Sequence, residues 1–142
     1  LVTKIKDAAF DLNQAIRGGA IYVKGTLNAL NYTNFTSNSA IQGGAVFIAA
    51  FNTTFFNCEF DNNTATHNLR FAVTGELNNL TTVGGGVTVH GDDVNIINST
   101  FINNTAVAKY ENGGLGGAVS VNGSDKFKME ILLRCKGLEG SI

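Results

Sequence analysis

Phe35-Thr36-Ser37-Asn38-Ser39-Ala40-Ile41-Gln42-Gly43-Gly44-Ala45-Val46-Phe47-Ile48 decides the architecture, because both of its motifs recur in register along the chain. The glycine pair appears four times, as Gly18-Gly19, Gly43-Gly44, Gly84-Gly85 and Gly116-Gly117, each followed by Ala or Gly and a β-branched residue. Phe-x-x-Asn appears four times as well, with Phe10, Phe35, Phe60 and Phe101 leading to Asn13, Asn38, Asn63 and Asn104. From the first glycine of a pair to the next phenylalanine is 17 residues in all three complete cases. The step from asparagine to the next glycine pair is 5, 5, 21 and 12 residues. A fixed spacing inside the unit with insertions at a single corner is the signature of a solenoid.

Reading down the repeats shows what stacks. Ile21, Val46, Val87 and Val119 share a column, and Val23, Ile48, Val89 and Val121 share another two places on. The mixed column Tyr22, Phe47, Thr88 and Ser120 lies between them, so this segment alternates as a strand with one buried face. A second strand carries the column Ile5, Leu30, Phe55 and Ile96, the small column Ala8, Thr33, Cys58 and Ser99, and then the phenylalanines. Units of 25 residues are too short for a strand plus a crossover helix and suit one coil of a parallel β-helix, with two or three short strands per coil. The expected fold is therefore all-β, a single-stranded right-handed parallel β-helix of about four to five coils. A β-propeller, whose blades run about 40–45 residues with a Trp-Asp signature, is disfavoured by the absence of tryptophan.

The sharp corners of such coils explain the glycine pairs, which take positive φ without a Cβ clash. Asparagine tolerates the same region, and identical amides stacked coil on coil form a hydrogen-bonded ladder. Asn13, Asn38, Asn63 and Asn104 are assigned to that ladder, and Asp7, Tyr32, Asn57 and Asn98 to a looser polar column.

The repeat-bearing region is expected to span residues 1–125 as part of a longer array. Residues 126–142 break the pattern: Leu133 stands where phenylalanine is due, Lys136 where asparagine is due, and Lys128 falls on the Ile96 column. This tail reads as a cap, a strand in a different register, or foreign sequence. The chain starts at Leu1 rather than methionine, which is expected of a fragment.

Composition excludes several functions. Net charge is −1 with charged residues at 15%, so the chain lacks the basic footprint of a nucleic-acid binder. No apolar run approaches the length of a membrane-spanning helix. Two cysteines cannot build a disulfide-dense scaffold or a zinc site. No cofactor and no metal are expected.

The two motifs together resemble the repeat of the chlamydial-type polymorphic outer membrane proteins, a family with many copies of FxxN and GGA[ILV]. Phe35…Asn38 with Gly43-Gly44-Ala45-Val46 and Phe10…Asn13 with Gly18-Gly19-Ala20-Ile21 match closely; Gly84-Gly85-Gly86-Val87 departs by having Gly86 where alanine is usual. The resemblance spans roughly residues 5–123. It implies an extracellular or cell-surface β-helix, an adhesin-like passenger that attaches to surface glycans or proteins of a host or neighbouring cell. It carries no catalytic residues.

Parallel β-helices also house polysaccharide lyases, so a fragment of a pectin-lyase-like carbohydrate-active enzyme is the competing expectation, and a purely structural stalk is the third. Such enzymes need clustered carboxylates, and the best cluster is Asp92 and Asp93 near His90. A polar turn is the default for these residues, and Glu59 and Asp61 read as outward strand positions. Cys58 reads as a small buried hydrophobe, while Cys135 is isolated in the tail. Tyr22 and Phe47 are expected to form ordinary β-surface, with an exposed aromatic strip as the functional alternative.

Residues 66–83 and 107–115 leave the stack at the same corner of successive coils and should lie side by side. As loops on a rigid scaffold they are the expected functional surface, with His67 among them. Eight Asn-x-Ser/Thr sequons occur, at Asn31, Asn34, Asn52, Asn62, Asn79, Asn98, Asn103 and Asn122. Ladder and turn chemistry is expected to explain most of them.

Overall fold

The computed structural model describes residues 4–25, 29–108, 114–122 and 127–130. Its strands form four parallel sheets, each built by one strand from each successive coil in sequence order. Sheet A comprises Lys4–Lys6, Ala29–Asn31, Thr53–Phe56, Val94–Ile97 and Phe127–Glu130; sheet B comprises Ala9–Asp11, Asn34–Thr36, Glu59–Asp61 and Thr100–Ile102. Sheet C comprises Gln14–Arg17, Ser39–Gln42, Thr64–Ala65 and Thr105–Ala106, and sheet D comprises Ile21–Gly25, Val46–Ala50, Val87–Val89 and Val119–Val121. The chain is thus a parallel β-helix of about four coils, with four strands per coil where two or three were expected.

The extra strands come from bends inside segments that read as continuous. Asp7, Tyr32, Asn57 and Asn98 take φ of 47–52° between sheets A and B. Leu12, Ser37, Asn62 and Asn103 take φ of 52–56° between B and C. Gly18, Gly43, Gly84 and Gly116 take φ of 58–66° between C and D. At the last corner, before sheet A, Asn52 and Asp93 take φ of 55° and 53°. One left-handed residue per corner turns the chain while the backbone pairing continues, as in Asp7 N to Asn31 O at 3.1 Å and Gly18 N to Gln42 O at 2.9 Å.

The two glycines of each pair have different tasks. Gly43 supplies the angle (φ 66°), whereas a Cβ on Gly44 would lie 2.0 Å from the carbonyl oxygen of Gly85 in the next coil. The second glycine lets adjacent coils approach. Gly86 has a local reason to lack a side chain, since a Cβ there would lie 2.8 Å from the Ala118 carbonyl oxygen and 3.2 Å from the Phe101 ring.

Inside the coil, the predicted columns meet. The rings of Phe10, Phe35, Phe60 and Phe101 stack with centroid separations of 5.3, 4.8 and 4.6 Å and interplanar angles of 8° or less. Phe35, Phe60 and Phe101 are buried together with Leu30, Phe55, Ile96 and, from sheet D, Val46, Val87, Val119, Val23, Ile48 and Val89. Ile21 is half-buried and Val121 exposed at the ends of those columns. Each aromatic pair adds about 0.5–1.5 kcal/mol beyond its buried area.

The asparagine ladder runs beside this stack. Asn38 donates Nδ2–H to Asn63 Oδ1 at 3.0 Å and to the Phe10 carbonyl at 3.0 Å, while its own Oδ1 accepts both the backbone N–H and Nδ2–H of Asn13 at 3.0 Å. The buried amide therefore fills all four of its hydrogen-bonding positions. The spacing of Phe-x-x-Asn follows from this geometry, because each asparagine reaches the carbonyl of the phenylalanine one coil earlier, again at Asn63 to Phe35 and Asn104 to Phe60. The ladder asparagines do not themselves take left-handed angles; the residue before each of them does. Side chain–backbone geometry, not turn tolerance, fixes asparagine there.

Two expected placements are corrected. Phe47 is 3% exposed against 48% for Tyr22, so no continuous aromatic strip faces solvent. In the tail, Met129 rather than Lys128 pairs with Ile96, and Phe127 pairs with Val94. The strand has slipped by one residue from the repeat register, which places Met129 rather than a lysine at the register position of a buried column. Leu133, Cys135 and Lys136 lie outside the described residues.

Candidate functional site

The insertion of the third coil does not project freely. It leaves sheet C at Thr66, whose N–H donates to the Ala40 carbonyl at 2.7 Å, and runs back across the sheet toward the first coil. There Arg70 donates its backbone N–H to Gln14 Oε1 at 2.7 Å and Nη2–H to the Leu12 carbonyl at 2.6 Å. After a short 3₁₀ turn at Gly75–Asn79 the chain returns, and Val83 bridges Gln42 on one side and Leu115 on the other. Thr82 is buried and locks the two insertions together. Its Oγ1 donates to the Val107 carbonyl at 2.9 Å and accepts from Gly114 N–H at 2.9 Å. The segments at 66–83 and 107–115 therefore lie side by side, as their common corner requires, although residues 109–113 are outside the described residues.

A second burial pattern lies outside the interior. Ile41 and Phe47 are buried without belonging to the interior cluster. Over Phe47, the Arg17 guanidinium lies 5.7 Å from the ring centroid and the His90 ring 4.8 Å away. Arg17 Nε–H donates to Gln42 Oε1 at 2.9 Å, and Gln42 Nε2–H donates to the Thr81 carbonyl at 3.3 Å. The result is a polar lid of Arg17, Gln42 and His90 on the outside of the coil. Burial, and after it the charge of Arg17, hold the His90 pKa below its ordinary value.

Two concavities flank the strap. One of about 350 Å³ lies between the insertions, lined by Thr66, His67, Asn68, Val107 and Ala108. The other, about 370 Å³, opens over sheet D among Gln42, Thr81, His90, Leu115, Ser120 and Asn122. Phe71, Leu77, Val107 and Leu115 remain exposed along the strap. This combination of convergent amides, hydroxyls and isolated apolar side chains suits recognition of a polar surface.

His90 and the two aspartates occupy different parts of the coil. His90 packs on Phe47, whereas Asp92 and Asp93 sit at the corner before sheet A, where Asn52 N–H donates to the Asp92 carbonyl at 3.2 Å and Asp93 turns the chain. Among the described residues, no group of three His, Cys, Asp or Glu side chains is placed to hold a metal ion. Glu59 is exposed and Asp61 half-buried on either side of buried Phe60. Cys58 is buried, its thiol donating to the Leu30 carbonyl at 3.2 Å, and burial pushes its pKa up.

Sequence reasoning located the insertions but missed Arg70, Thr82 and the Arg17–Gln42–His90 lid. The partners of Arg70 and Thr82 lie one or two coils away, in segments of different length, so no column alignment pairs them. Arg17 and Gln42 do share a column, each one residue before a glycine pair, but that column does not bring in His90. The available signal was the 21-residue step after Asn63, too long for a bare loop in a compact stack. No protein-family model matches the chain, and comparison with curated proteins and with solved structures returns no match.

Proposed function

We propose that the chain is a non-catalytic, surface-displayed β-helical segment that holds an adhesive face formed by its two insertions. The FxxN and GGA[ILV] repeat supports the adhesin-like reading, and the observation that carries it is the fastening of residues 66–83 across sheet C by Arg70 and Thr82. Fastening over two coils orders the segment before a ligand arrives, which lowers the conformational cost of binding. The ligand class is a glycan or protein of a neighbouring or host cell surface.

The test replaces residues 67–80 with a short Gly-Ser turn, keeping Thr82 and Val83 in the stack. Adhesion of the intact and shortened chains to immobilised glycans and matrix proteins is compared, with circular dichroism as the fold control. Loss of adhesion with the fold retained supports the proposal. Unchanged adhesion, or no adhesion by the intact chain, overturns it.

A further inference from the structure

The eight sequons are not a by-product of the ladder. Each ladder asparagine is followed two residues later by an alanine of sheet C, at Ala15, Ala40, Ala65 and Ala106. The buried amide column therefore never carries the hydroxyl that a sequon needs. Seven sequon asparagines are instead exposed, at Asn34, Asn52, Asn62, Asn79, Asn98, Asn103 and Asn122, while Asn31 is half-buried beside fully buried Thr33.

Turn chemistry accounts for them only in part. Asn52, Asn62, Asn98 and Asn103 take left-handed angles, but Leu12 and Tyr32 take the same angles at equivalent corners, so asparagine is not demanded there. The other three exposed sequon asparagines are not among the left-handed residues. Asn34, Asn62, Asn98 and Asn103 lie on sheet B or its two corners, a face from which no insertion leaves the stack.

We propose that the seven exposed sequon asparagines are N-glycosylation sites that sheathe the solenoid, chiefly around sheet B. The inference rests on the export reading above. The donor class is an oligosaccharide on a polyprenyl diphosphate. Asparagine Nδ2 forms a bond to the anomeric carbon, the carbon–oxygen bond to diphosphate breaks with its electron pair, and the amide loses one proton to a base of the transferase. Among the outward asparagines Nδ2 makes exposed contacts between coils at Asn62, to Ser37 Oγ at 3.3 Å, and at Asn98, to Asn57 Oδ1. The one hydrogen left on a glycosylated Nδ2 suffices for either. A carbohydrate on Asn38 or Asn63, which use both amide hydrogens, would sever the buried ladder.

The experiment labels intact source cells with a membrane-impermeant biotin reagent, isolates the full-length protein, and treats it with peptide N-glycosidase in heavy-oxygen water before peptide mass spectrometry. Labelled protein with heavy aspartate at the exposed sites supports the proposal. Labelled protein with unmodified sequons overturns it and leaves the surface reading standing. Unlabelled protein overturns the surface reading, and with unmodified sequons it overturns both. As a second measurement, Thr36→Ala removes the sequon hydroxyl without touching Asn34. It should abolish modification at Asn34 alone, and persistence there overturns the assignment.

Discussion

Asn63 gives both its backbone N–H and its Nδ2–H to one oxygen, Oδ1 of Asn104, at 3.0 and 2.9 Å. Its second amide hydrogen goes to the Phe35 carbonyl at 2.9 Å. In Asn63→Asp the acceptor oxygen survives while both side-chain donors vanish, leaving a buried carboxylate against two oxygens. Each lost buried bond costs about 1–3 kcal/mol, so destabilisation of about 3 kcal/mol or more is expected at neutral pH. Protonation restores one donor, so the folded state binds a proton more tightly than the unfolded chain and the defect should shrink as pH falls. Urea midpoints at about pH 7 and about pH 4, each relative to the parent chain, check this. An equal defect at both disproves the ladder's donor role.

Phe60 lies between Phe35 and Phe101, at 4.8 and 4.6 Å, and is completely buried, whereas Phe10 stacks on the described residues only through Phe35 and is half-buried. Phe60→Ala should therefore cost about 3–5 kcal/mol, and Phe10→Ala clearly less. Denaturant titration of the two variants tests the order, and equal losses would contradict a continuous stack.

Gly86→Ala restores the alanine usual in the motif and should nonetheless destabilise the protein. The added methyl would stand 2.8 Å from the Ala118 carbonyl oxygen and 3.2 Å from the Phe101 ring. Overpacking of this kind costs about 1–3 kcal/mol. Gly25→Ala is the control: φ is 113° but no atom of the described residues lies within 4 Å of the added carbon, so backbone strain acts there without a clash. A raised thermal midpoint for Gly86→Ala would show that coil spacing adjusts freely.

Column alignment made the interior legible because each inward residue meets its own counterpart one coil away. Ile5, Leu30, Phe55 and Ile96 and the phenylalanine stack are of this type. The corner between sheets A and B was visible only as a broken parity. Ile5 and Ala8 are three apart, an odd step that a single strand cannot turn to one face, and Asp7 is the residue that bends. The outer surface was not legible by columns. Phe47 is covered by Arg17 and His90, which belong to different coils and different columns, so its burial depends on contacts that repeat alignment does not encode.

His90 provides a pH-dependent readout of that cover. Burial first, and the Arg17 charge second, lower its pKa in the folded state, so the unfolded chain binds the proton more tightly. The stability tied to neutral His90 is present above the ordinary value of about 6.5 and is lost as pH falls through it toward the folded value. The fall in denaturant midpoint between about pH 8 and about pH 5 should be smaller in His90→Gln than in the parent. Arg17→Gln should raise the His90 pKa measured by proton NMR, and an unmoved value would place the guanidinium too far away to act.

Thr82 and Arg70 fasten opposite ends of the strap, one in the buried seam and the other on the open surface. Thr82→Val keeps the shape but strips the Val107 carbonyl of its 2.9 Å donor and Gly114 N–H of one of two acceptors. Both bonds are only partly buried, so their loss should cost about 0.5–1.5 kcal/mol each, and it should appear as local opening rather than global unfolding. Arg70→Ala removes an exposed hydrogen bond to the Leu12 carbonyl and should cost about 0.5–1.5 kcal/mol. Amide exchange at residues 67–83 should quicken in both variants, most in the double variant, while Val87–Val89 in sheet D keeps its protection. If exchange quickens equally in sheet D, the insertion is part of the cooperative core rather than a separately fastened surface. Its deletion would then unfold the coils instead of removing a binding face.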